Sequence, residues 1–128
     1  MTTIKWLLKE AVLAMHARQL AEHGGGVGIR DEGLLESALQ RPENKTLYGE
    51  PDIAELAAAY AYGIARNHPF IDGNKRTALV ASRAFLLYNG YQITASKEDR
   101  LNTILALASG NLTEDELAAW FRSHLLEV

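Results

Sequence analysis

The sequence predicts an all-α protein of about six helices, and three observations carry that prediction. Apolar residues recur at three- and four-residue steps along most of the chain, capping residues stand three positions ahead of acidic partners, and only one short segment reads as a strand. Ile4, Leu8, Ala11, Val12, Met15 and Leu20 form one stripe of a first helix that closes at Gly24, Gly25 and Gly26. Beyond a loop through Gly28, Asp31 caps a second helix of about ten residues, with Leu34, Leu35, Ala38 and Leu39 inward and Pro42 as its stop. Asp52 and Glu55 have capping-box spacing, and Ile53, Leu56, Ala57, Tyr60 and Ile64 carry a third helix to just before His68, because Pro69 forbids continuation.

A fourth helix restarts at Asn74 and runs through Ala78, Leu79, Ala81, Phe85 and Leu86 to a C-cap at Asn89 and Gly90. It is apolar nearly all round, so it is expected at the centre. Ser96 with Asp99 opens a fifth helix carrying Leu101, Ile104, Leu105 and Ala108 to Gly110. Thr113 with Glu116 opens a sixth, carrying Leu117, Trp120, Phe121 and Leu125. Tyr91 to Thr94 is strand-like, and the sequence offers it no partner.

A length of 128 residues with 48% apolar content fits one soluble domain over 1–128, large enough to bury a core unaided. The absence of cysteine excludes disulfide and cysteine-zinc scaffolds. The longest apolar run, Leu56 to Tyr62, is far too short to cross a membrane. Lys5, Lys9, Glu10, Arg18 and Glu22 interrupt the N-terminal apolar residues, so no secretory signal is read and a cytoplasmic location is expected. A net charge of −3 argues against broad nucleic-acid binding.

Chemistry concentrates between Arg66 and Arg76, where a histidine, a carboxylate, an amide and cations fall between two helices. Asp72-Gly73-Asn74 leads straight into a helix, whose first N–H groups lack intrahelical partners and attract anions. Lys75 and Arg76 in that first turn oppose the helix dipole, an arrangement a bound phosphate relieves. His68 lies six residues before Asn74, across a turn able to fold it back over the same helix end, where it would serve as a base, and Asp72 suits Mg2+ beside phosphates. The structural alternative is an Asp-Gly turn, an Asn-capped helix and two surface cations, with Pro69 ending a helix and Phe70 anchoring the loop. Arg66 reads either as an anion ligand or as a helix C-terminal cation.

The segment His68-Pro69-Phe70-Ile71-Asp72-Gly73-Asn74-Lys75-Arg76 resembles the Fic/Doc family motif in every position, and the Gly28 to Pro42 segment is similar to the N-terminal region of the Doc branch. Lys75, where Fic proteins have glycine, is similar to Doc, and Leu79 stands where Fic adenylyltransferases have a second arginine. Val80 departs from the asparagine of the Doc pattern. The resemblance implies a Fic fold and the toxin of a type II toxin-antitoxin system, a kinase that uses ATP and Mg2+ to phosphorylate a hydroxyl of elongation factor Tu and arrests translation and growth. It implies His68 as base, Asp72 as metal carboxylate, and Gly73, Asn74, Lys75 and Arg76 as phosphate binders, with Arg66 accessory. No self-inhibitory helix motif is found, so a Phd-like antitoxin is the implied restraint. The rivals are protein adenylylation on the same site and a non-catalytic helical binding module.

Elsewhere, His16, His23 and His124 lack second ligands at metal spacing and read as packing or surface residues. Gly24 to Gly28 reads as a connector, since no Gly-Lys-Ser/Thr follows it. Trp6, Trp120 and Phe121 read as core residues that staple the chain ends together.

Overall fold

The computed structural model describes residues 3–128 and contains six helices: α1 Lys9–His23, α2 Glu32–Tyr48, α3 Ile53–Asn67, α4 Asn74–Tyr88, α5 Lys97–Ser109 and α6 Glu114–Ser123. Two short strands, β1 Tyr91–Ile93 and β2 Leu125–Glu127, complete it. The all-α prediction holds. Each predicted cap is present: Asp31 accepts from Leu34 N–H, Ser96 from Asp99 N–H, and Asp52 and Thr113 form capping boxes with Glu55 and Glu116.

The centre is α3, not α4 as the apolar pattern of α4 suggested. Helix α3 packs against α2, α4, α5 and α6 and is buried from Ala54 to Ala65 except at Glu55 and Tyr62. Its alanines let four neighbours approach closely. Helix α4 buries Thr77, Ala78, Ala81, Ser82, Phe85 and Leu86 on one side and exposes Lys75, Arg76, Arg83 and Leu87 on the other.

Four expectations are corrected by tertiary partners. Residues 3–8 are extended rather than helical, because Asn89 accepts from Lys5 N–H and donates to Lys5 O while Tyr60 Oη accepts from Leu7 N–H. Trp6 stacks on Phe85 with ring centroids 6.0 Å apart, and Trp120 stacks instead on His124, so the chain ends are not stapled to each other through these rings. Burial pushes the Tyr60 phenol up to about 12, consistent with a neutral hydroxyl inside the core.

Helix α2 runs through Pro42 to Tyr48 instead of stopping there. Proline cannot donate to the Ala38 carbonyl, yet that carbonyl faces Gly63 of α3, where a Cβ would lie 3.1 Å from the oxygen. The absence of a side chain at Gly63 lets α3 approach α2 closely at this point. Finally, the strand at Tyr91 has a partner: Leu125, expected in the sixth helix, lies in β2, paired antiparallel with Ile93. Helix α6 ends at Ser123, and Thr94 N–H then donates to His124 O at 2.7 Å.

Candidate active site

Helix α3 ends because Pro69 follows its cap. His68 adopts a left-handed backbone, φ 53° and ψ 53°, the only positive φ at a non-glycine among the described residues. Its N–H still donates to Ile64 O, and its side chain is exposed. Pro69 and Phe70 turn inward, and Phe70 is fully buried. Ile71 N–H donates to Gly28 O, and Ile29 pairs with Phe70 in an isolated bridge.

The turn into α4 is built on two side chains. Asn74, buried, accepts from Phe70 N–H and donates to Phe70 O, each at 2.9 Å. His16 of α1, also buried, stacks on Phe70 with centroids 3.7 Å apart and planes 9° apart. Its Nε2 lies 2.7 Å from Asp72 O, an acceptor, so Nε2 carries the proton. Asp72 Oδ1 accepts from Gly73 N–H at 2.8 Å, and Gly73 takes φ 80° to swing the chain into the helix.

The N–H groups of Asn74, Lys75 and Arg76 have no partner among the described residues, and the first turn of α4 contains no acidic residue. Among the described residues neither Lys75 nor Arg76 forms an ion pair, and both are exposed. This helix end is an anion site in charge and geometry. It opens into a cleft of ≈ 470 Å³ that holds His68, Asp72 and the first turn of α4. The other walls come from Leu20 and His23 of α1, the Gly24-Gly25 loop, and Leu101 and Leu105 of α5.

Asp72 forms no ion pair with a described residue, and its Oδ2 packs over Gly25, where a Cβ would lie 2.7 Å away. A lone, exposed carboxylate beside an anion site matches the needs of Mg2+, which takes few protein ligands when phosphates supply the rest. No group of three or more His, Cys, Asp or Glu side chains gathers for a transition metal among the described residues. His16 is packed in the core, as read from sequence.

Three sequence expectations change here. Arg66 is not in the cleft: its guanidinium lies 5.8 Å from the Tyr62 ring centroid and lines a separate recess with Gly110 and Glu114. Arg66 lies in the last turn of α3, whereas His68 follows the helix with a left-handed backbone, and the two side chains line separate recesses. The Asn74 carboxamide is buried and bonded to Phe70 through both its oxygen and its nitrogen, while its backbone N–H has no partner among the described residues. The Gly73 N–H is likewise engaged, by Asp72, and the role of this residue is the turn.

Sequence reasoning missed the α1 and α5 walls. The signal was there: His16, Gln19, Leu20 and His23 share helical spacing, and polar residues interrupt that stripe. A comparable recess of ≈ 480 Å³ lies between α2 and α3, but its Arg41 and Lys45 are already paired with Glu114, at 2.5 and 3.3 Å. Cations neutralised in this way make a poor phosphate site, which leaves the His68 cleft as the candidate.

A left-handed histidine facing an uncapped, cationic helix end, carried on this arrangement of helices, defines a class. The Fic/DOC family model matches residues 6–86, and the chain belongs to that family. It is 40% identical over 104 residues to Toxin Doc of Mycolicibacterium smegmatis (strain ATCC 700084 / mc(2)155), covering 75% of this chain and 77% of that protein. It is 35% identical over 114 residues to Protein kinase doc of Escherichia phage P1, covering 88% of this chain and 90% of that one.

Proposed function

We propose that this chain is a Doc-type toxin that transfers the γ-phosphoryl group of ATP to a hydroxyl of a protein, with an elongation factor of the Tu type as target. The observation that carries the reading is the shared cleft: an exposed imidazole at His68 opposite a helix end with three unpartnered N–H groups and two unpaired cations. The relatives named Toxin Doc and Protein kinase doc support the same chemistry.

In this reading the α4 N–H groups, Lys75 and Arg76 orient the phosphates and stabilise charge as it develops on the transferred group. The target hydroxyl loses its proton to a ring nitrogen of His68 and forms a bond to Pγ. The bond between Pγ and the bridging oxygen breaks, and ADP leaves with that electron pair. Asp72 would hold Mg2+, which neutralises phosphate charge when bound. Leu20, Leu101 and Leu105 supply apolar walls of the cleft.

The toxin would act in the cytoplasm, without direct nucleic-acid contact, and be restrained by a Phd-like antitoxin in a type II pair. No helix among the described residues is long and apolar enough to cross a membrane. Incubation of the chain and elongation factor Tu with ATP labelled at the α- or the γ-position tests the reading. Transfer of γ-label that His68→Ala abolishes supports it, whereas transfer of α-label replaces it with adenylylation. Growth arrest that survives His68→Ala, with no label moved, replaces it with a binding module.

A further inference from the structure

Three consecutive carbonyls at the end of α3 accept hydrogen bonds from a single residue, Arg30. Its Nε donates to His68 O at 2.7 Å and its Nη2 to Asn67 O at 2.9 Å. Its own backbone N–H donates to Pro69 O at 2.7 Å, and the next N–H, of Asp31, donates to the same oxygen at 3.0 Å. The middle carbonyl belongs to the one non-glycine residue held in a left-handed backbone. Arg30 forms no ion pair among the described residues, and its side chain is exposed. Its charge is therefore committed to these oxygens.

We propose that Arg30 is a positioning residue for His68: its guanidinium fixes the left-handed peptide and so the direction in which the imidazole enters the cleft. The idea rests on the reading of His68 as the base. A planar fork gripping two successive carbonyls fixes the peptide plane between them, while a single-point cation satisfies the helix end without fixing that plane. Rotation of this peptide swings the Cα–Cβ bond of His68. The backbone bonds of Arg30 remain in any substitution that permits the same φ and ψ, so its side-chain contribution is separable from the loop it sits in.

The test uses the full chain with Arg30→Ala and Arg30→Lys. In the wild type, the HN–Hα coupling and the Cα and Cβ shifts of His68 report a left-handed residue by nuclear magnetic resonance. Both variants are expected to lose that signature while the amide signals of Ile29 and Phe70 stay in place. With γ-labelled ATP and elongation factor Tu, kcat is expected to fall about tenfold or more with KM for ATP little changed, as expected when a reacting group is misdirected. A left-handed signature intact in Arg30→Ala, or wild-type kcat in Arg30→Lys, overturns the proposal, because Lys keeps the helix-end charge and loses only the fork. Should Arg30→Ala not fold, Arg30→Lys carries both readouts. If the wild-type chain moves no label, the kinase reading fails, while the resonance measurement still decides the role of Arg30.

Discussion

Asn74 holds Phe70 by both ends of its carboxamide, accepting from the N–H and donating to the carbonyl of the same residue at 2.9 Å each. The pair closes the loop that carries Asp72 and fixes where α4 begins. An amide is needed because one partner is a donor and the other an acceptor.

Asn74→Asp keeps the shape and removes the donor, leaving the Phe70 carbonyl without its partner in a buried position. Stability should fall by about 1 to 3 kcal/mol. Urea unfolding checks this, and nucleotide binding should weaken as well, because the side chain, bonded to Phe70, fixes where α4 begins.

Lys75→Ala and Arg76→Ala each remove an unpaired cation from the anion site. Each should weaken ATP binding by about 10- to 100-fold, the range for losing one charge-assisted hydrogen bond. Calorimetric titration checks it, and thermal stability should stay near that of the parent because both side chains are exposed.

Gly25→Ala forces a side chain into φ +126° and within 2.7 Å of Asp72 Oδ2. The carboxylate must move. Mg2+-supported ATP binding should drop while binding measured without the metal changes little, a contrast that titration in the presence and absence of Mg2+ reads directly.

Gly63→Ala should destabilise by about 1 to 3 kcal/mol, since the new methyl meets the Ala38 backbone at 3.0 to 3.1 Å and drives α2 away from α3. Denaturant midpoints check it. A Pro42→Ala change in the same background restores the donor for Ala38 and should recover part of the loss.

The Arg122 guanidinium, with the Glu55 N–H, holds the Asp52 carboxyl below the usual carboxylate range. A depressed folded value gives stability that is present above the unfolded value near 4 and is lost as the pH falls through the folded one. Asp52→Asn should retain most of the helix cap at neutral pH and flatten the acid limb of the stability curve. Thermal midpoints across acid pH check the slope.

Much of this fold is legible in the sequence wherever the cause is local. The boxes at Asp52 and Thr113 and the caps at Asp31 and Ser96 are satisfied within one turn, so spacing alone finds them. Pro42 misleads because α2 packs against α3, a contact with another helix that local sequence does not show. Residues 3–8 mislead for the same reason, their backbone partner being Asn89. At the site, the motif places His68, Asp72, Lys75 and Arg76 together. Its supports are remote, His16 at a separation of 56 residues from Asp72 and Arg30 at 38 from His68, and no local pattern announces them. Arg66 takes the second of the two roles its position offers, a cation in the last turn of α3.

The cleft has two origins along the chain. The corner with the imidazole comes from the turn between α3 and α4, while the flank formed by Leu101 and Leu105 comes from α5. Substitutions at Leu101 or Leu105 would therefore reshape one flank of the cleft while leaving the turn between α3 and α4 as it is.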